Sequence, residues 1–178
     1  MSTKTAFFFF FFWNSPALQS VLDDIQREQC TKVFILGDIV NGIDPHGCVQ
    51  LLRAWSDTNK VELSSIKGNA EAYLVIPDRY SLPKEKEIWD DDLLNLVQWW
   101  QDHLSESDLE WVHSLPDTIL WNNAYLVHDS PMDRLAVQSR VDIPPQYREW
   151  MYHGRGILPT TEQSDWQKII EYMRSENI

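Results

Sequence analysis

The stretch Val33-Phe34-Ile35-Leu36-Gly37-Asp38-Ile39-Val40-Asn41-Gly42 decides the fold. It opens with an unbroken apolar run, rich in β-branched residues, that reads as a strand buried on both faces. The run halts at Gly37-Asp38, which leaves a carboxylate at the carboxyl end of the strand. Open α/β sheets bind their ligands at that edge. A carboxylate there also serves as a turn former or helix cap, so both readings of Asp38 stand. Asn41-Gly42 and Asp44-Pro45 then turn the chain before the next helical pattern.

Upstream, six of the seven Phe of the protein lie side by side at Phe7 to Phe12. Phe suits a strand, and a central strand is the plain reading. A strand does not need six identical rings, however, and the run reaches into what should be a loop. Asn14-Ser15-Pro16 follows, with Ser15 placed as N-cap and Pro16 at the first helical position. Leu18, Val21, Leu22 and Ile25 have the spacing of a core-facing helix, with Asp23, Asp24, Arg27 and Glu28 mostly on the other face. Together with the Val33 strand this forms a βαβ unit, whose crossover should be right-handed.

Downstream, a second helix runs from about His46 to Trp55 and carries Val49, Leu51 and Leu52. A strand at Val61 to Ile66 ends at Gly68-Asn69-Ala70-Glu71. Pro77 to Glu87 is polar and reads as a surface excursion. Leu93, Leu94, Val97 and Trp100 make another amphipathic helix. Ser107-Asp108-Leu109-Glu110 has the form of a capping box opening a short helix that closes before Pro116. Thr118–Trp121 and Ala124–Val127 flank Asn122-Asn123, a hairpin signal, and the second strand ends at His128-Asp129-Ser130-Pro131. Trp166, Ile169, Ile170 and Met173 mark a last helix. No internal repeat or domain boundary is visible, so residues 1–178 read as one domain.

Composition bounds the function. An apolar content of 43% describes a globular chain, and nine Trp need an extensive core or an interface. The formal charge of −12 argues against non-specific binding to nucleic acid or to an anionic membrane. It also repels phosphate substrates unless metal ions reverse the local sign. Cys30 and Cys48 are too few for a disulfide framework, which points to a reducing cytoplasm. The apolar run Ala6 to Trp13 behind Lys4 loosely follows a signal-peptide core. It is too short to span a membrane and lacks both Leu and a small-residue cleavage site. The expected location is cytoplasmic.

Three strand ends carry oxygen or nitrogen donors that would converge on one edge of a sheet: Asp38, Asn69 and His128. Leu36-Gly37-Asp38-Ile39-Val40 followed by Asp44-Pro45, then Gly68-Asn69, then Leu126-Val127-His128 before Ser130-Pro131, resembles the calcineurin-like metallophosphoesterases. The match is to their small bacterial and archaeal phosphodiesterase-type branch, from Pro16 to about the chain end. The resemblance implies an α/β (α+β) fold with two mixed β-sheets packed as a sandwich flanked by helices. It also implies a two-metal site of manganese, iron, zinc or nickel that activates a hydroxide and clamps a phosphate for in-line displacement. In that scheme Asp38 resembles the bridging carboxylate. Asn69 and His128 look like the amide and imidazole ligands of the second metal.

The departures concern the same chemistry. Where the family has Asp-x-His after its first strand, this chain aligns Phe10 and Phe12, which have no lone pair to offer a cation. Where a His follows Gly-Asn to serve the leaving group, this chain has Ala70. The family's closing Gly-His-x-His is absent, so the C-terminal part of the fold is expected to be missing. The Phe run reads as an altered coding tract or a replacement, and if exposed as an aggregation hazard. His46, His103, His113 and His153 have no partner spacing and read as surface or helix residues. No catalytic side chain is assigned, and the expected metal complement is one ion or none. Two functions follow. One is a divalent-metal phosphoesterase of impaired activity acting on a small phosphate ester. The other is a non-catalytic remnant or binding module that retains the fold. Oligomeric state is left open.

Overall fold

The computed structural model describes residues 4–9, 14–74 and 91–128, and helical backbone at 167, 170, 171, 174 and 175. Strands β1 (Thr5–Phe8), β2 (Lys32–Ile35) and β3 (Glu62–Ser65) form a parallel sheet in the order β1-β2-β3. Helices α1 (Ser15–Arg27) and α2 (Pro45–Asn59) are the crossovers between them. The register aligns Ala6 with Val33 and Leu63, and Phe8 with Ile35 and Ser65. Because side chains alternate along a strand, those rows share one face. That face belongs to the same core as Leu18, Leu22 and Ile25 of α1 and Cys48, Val49, Leu52 and Trp55 of α2. Fully burying side chains such as Leu18 and Leu22 contributes about 1.5–3 kcal/mol each. Val33, Phe34 and Ile35 are all buried, as the apolar run requires.

The expectation of a central strand in the Phe run meets a different arrangement. Among the described strands β2 is central, and β1 pairs only with it. β1 contains Phe7 and Phe8 alone of the six rings, and Phe9 beyond it is exposed. Phe10 and Phe12 lie outside the described residues.

The cap of α1 is Asn14 rather than Ser15. Asn14 has extended backbone, and its Oδ1 accepts from Ala17 N at 2.9 Å. Ser15 is the first helical residue, and its hydroxyl donates instead to Asp44 Oδ2. Asp44 caps α2 through Gly47 N, so this bond ties the starts of the two crossover helices together.

Beyond β3 come α3 (Asn69–Leu74), α4 (Asp91–His103) and α5 (Glu106–Ser114). They extend the same core with Tyr73, Val97, Trp100 and Val112. The capping box of α5 is Ser105 with Asp108, two residues earlier than the sequence pattern of Ser107 and Glu110 suggests. Asp108 is wholly buried between helices, which a surface pair such as Ser107 and Glu110 cannot match. Strands β4 (Ile119–Trp121) and β5 (Ala124–Leu126) form the antiparallel hairpin expected around Asn122-Asn123. Trp121 packs edge-on to Phe7 and tilted against Phe34, with ring centroids 5.4 and 5.2 Å away. Phe7 and Phe34 lie on the sheet face opposite the Val33 and Ile35 row.

The described sheets are therefore one parallel and one antiparallel, in a mixed α/β fold. The polar excursion at Pro77 to Glu87 lies outside the described residues. In the last helix, Ile170 is exposed, while Trp166, Ile169 and Met173 are likewise outside them. Among the described residues no helix is long and apolar enough to cross a membrane.

Candidate functional site

The carboxyl ends of β2 and β3 bring two loops into backbone contact. Gly37 has φ +90°, and a Cβ on it would lie 2.5 Å from Gly68 N and 2.7 Å from His128 Nδ1. A Cβ on Gly68 would lie 2.4 Å from both Asp38 N and Asp38 Oδ1. Only glycine allows this approach at either position. Between them Asp38 adopts φ +59°, the left-handed region that costs an L-residue roughly 1–2 kcal/mol. Strain of this kind persists where the surroundings over-determine it, as they do here.

What holds Asp38 is a reciprocal brace. Its Oδ1 accepts from Ala70 N at 3.0 Å, satisfying an amide in the first turn of α3. Glu71, on that same turn, reaches back to the Asp38 loop. Its Oε2 accepts from Asp38 N at 2.8 Å and Gly68 N at 2.7 Å, and its Oε1 from Val40 N at 2.9 Å. Glu71 is fully buried, and Asp38 is 2% exposed. Burial, and next the charge of Asp38, push the Glu71 carboxyl above its usual range, while the three backbone N–H groups pull the other way. Neither carboxylate meets a Lys or Arg among the described residues. Lys67, next to Gly68, directs its ammonium to Leu115 O and Asp117.

His128 closes the third side. Its Nδ1 stands 2.5 Å from Leu36 O, and because a carbonyl only accepts, Nδ1 carries the proton. Its Nε2 faces Asn69 and, at 3.6 Å, Asp38 Oδ1. Asn69 with its NH2 turned inward donates to His128 Nε2 at 3.1 Å and to Asp38 Oδ1 at 2.9 Å. Turned the other way, Asn69 presents Oδ1 to His128 Nε2 at the same 3.1 Å. The three residues singled out from sequence thus meet at one rim.

The residues suit one divalent cation. A carboxylate, an amide that can turn its oxygen inward and an imidazole nitrogen converge, and the buried carboxylate meets no ammonium or guanidinium among the described residues. A backbone carbonyl fixing the second ring nitrogen is the usual support of a metal-binding histidine. Such an ion, if bound, would supply Lewis-acid chemistry. No group of three or more His, Cys, Asp or Glu gathers among the described residues, so this set depends on its amide. Ala70 is buried and offers only a methyl group.

Sequence reasoning passed over Glu71. An acidic residue in the first turn of a helix reads as an ordinary response to the helix dipole. The one available signal was its place two residues after Asn69. The remaining histidines behave variously. His103 stacks on Trp99 and His113 is exposed, while His46 is bonded to buried Asp108 at 2.6 Å. His153 lies outside the described residues.

A parallel βαβαβ sheet with polar residues at its strand ends and a following hairpin is similar to a metallophosphoesterase fold. Two solved structures carry the likeness. One is a hypothetical protein, PH1004 from Pyrococcus horikoshii OT3, at 18% identity and a TM-score of 0.63 over 95% of this chain. The other is a metallophosphoesterase from Sphaerobacter thermophilus, at 24% identity and a TM-score of 0.53 over 78% of this chain. At these identities the likeness is one of fold. The matches cover 64% and 55% of those two chains respectively. No protein-family model and no curated protein matches the sequence.

Proposed function

We propose that Asp38, Asn69 and His128 hold a single divalent cation (manganese, iron, zinc or nickel) in a phosphoesterase-like protein. On this reading the chain hydrolyses a small phosphate ester at a rate well below that of a two-metal enzyme. The observation that carries the reading is the convergence of three donors around a strained, buried carboxylate that meets no Lys or Arg among the described residues. The cation would reverse the local sign of a chain of net charge −12, letting a phosphate approach. Asp38 and Asn69 would supply oxygen, and His128 would supply Nε2. Ala70 moves no proton, so a leaving group takes its proton from water. Lacking a general acid costs about 10²- to 10⁴-fold. The parallel sheet and the hairpin would belong to the two sheets of a sandwich. Free Cys30 and Cys48 suit a reducing, cytoplasmic setting.

The methyl group of Ala70 favours a second reading, a non-catalytic module that binds one ion and no longer turns over substrate. The two separate in one assay series. The purified chain is analysed for bound metal, then incubated with a chromogenic phosphodiester and added Mn²⁺. Turnover abolished by Asp38→Ala supports hydrolysis. Bound ion without turnover supports the module. Neither ion nor turnover overturns both.

A further inference from the structure

Helix α3 begins with an arrangement that needs two segments of chain to complete. In an ordinary capping box the residue before a helix satisfies an amide of the first turn, and a Glu in that turn returns the bond to the capping residue's own N–H. Here Gly68 occupies the capping position and has no side chain. Asp38, from a loop thirty residues earlier in the chain (68 − 38 = 30), supplies the missing acceptor to Ala70 N. Glu71 returns bonds to Gly68 N, and also to Asp38 N and Val40 N. The Asp38 carboxylate therefore fastens the turn that carries Glu71, and the Glu71 carboxylate fastens the loop that carries Asp38. The box is split between the two loops that carry Asp38 and Asn69.

We propose that Glu71 is the positioning residue of the cation centre, holding Asp38 at φ +59° with its carboxylate turned toward Asn69 and His128. This rests on the reading that the three donors bind a cation. Glu71 does not itself face the ion, since both its oxygens are engaged by backbone N–H groups. Its contribution is geometric. One carboxylate spans three amides on two loops, so the loops move as a unit. A shorter acid cannot reach both loops. An amide offers a single acceptor oxygen and sets its NH2 against donors. Outer residues of this kind typically change metal affinity by about 10- to 100-fold when replaced.

The test uses the full chain, stripped of metal and titrated with Mn²⁺ by calorimetry at a temperature where circular dichroism shows every variant folded. Glu71→Gln is expected to weaken Mn²⁺ binding about 10-fold or more. Leu52→Ala, a buried change in α2 at none of the three donors nor at Glu71, is expected to lower the melting temperature yet leave the Mn²⁺ affinity alone. That pairing separates positioning from loss of stability. Should Glu71→Gln fail to fold, Glu71→Asp takes its place with the same expectation. Amide hydrogen exchange on the unaltered chain adds an arm that needs no metal, in which Asp38, Val40 and Gly68 should be protected together. Unchanged Mn²⁺ affinity in the folded Glu71 variant overturns the positioning role alone, as does rapid exchange at those three amides. Absence of Mn²⁺ binding in the unaltered chain overturns the cation reading, and the positioning role falls with it.

Discussion

Asp38 concentrates the conflict between stability and chemistry. It is buried, strained and set beside a second buried carboxylate, and each of those conditions raises the energy of the folded chain. Asn tolerates left-handed backbone as readily as Asp and has nearly the same shape. Asp38→Asn is therefore expected to stabilise the metal-free protein, by about 0.5–2 kcal/mol in urea denaturation, while eliminating Mn²⁺ binding. A loss of stability in the metal-free variant would mean that the charge is already compensated. Gly68 answers to a different constraint, because a methyl group there would collide with Asp38 backbone and carboxylate together. Gly68→Ala should cost about 2 kcal/mol or more, read from the same denaturation curves. Cys48 is inert by contrast. Burial, and secondarily Asp44, push its thiol up to about 12, so thiol reagents should label Cys30 in the native protein and Cys48 only on unfolding.

Among the elements, α5 shows how a helix is fixed by one buried acid. Burial raises the Asp108 carboxyl, but bonds from Ser105, His46 and Gln50 outweigh it and hold the group below its ordinary value. A group depressed in the folded state stabilises it above the unfolded pKa and loses that effect as pH falls through the folded one. The Asp108 contribution should thus be complete above about pH 4 and fade below it. Asp108→Asn should cost about 1–3 kcal/mol at pH 7, a difference that shrinks as urea midpoints are followed toward pH 3. A pH-independent gap would mean that shape rather than charge matters.

The same elements show what was legible beforehand. The first βαβ unit and the Asn122-Asn123 hairpin rest on local periodicity and turn chemistry, and both were readable. Caps were displaced by one or two residues, because Asn14 and Ser15 are equally competent and Ser105 competes with Ser107. Tertiary partners, Asp44 for Ser15 and His46 for Asp108, made the choice. The convergence of Asp38, Asn69 and His128 followed from strand order. The Glu71 brace did not, since it links loops whose approach is set by Gly37 and Gly68.

For the whole molecule, the described sheets give a scaffold whose parallel strands deliver two loops to one edge, with the hairpin bringing His128 to the same place. An ion that binds only the folded chain must stabilise it. At a free concentration one hundred times its dissociation constant the gain is about 2.7 kcal/mol. Added Mn²⁺ should therefore raise the melting temperature, and a chelator should reverse the rise. An equal shift with Mg²⁺, a hard ion that keeps its waters, would point to general screening of the acidic surface instead.

The central claim is most directly tested by counting ions. Electron paramagnetic resonance of free Mn²⁺, titrated against the metal-stripped chain, should show one ion taken up per chain and none by His128→Ala. Uptake that survives His128→Ala, or no uptake by the unaltered chain, would contradict it.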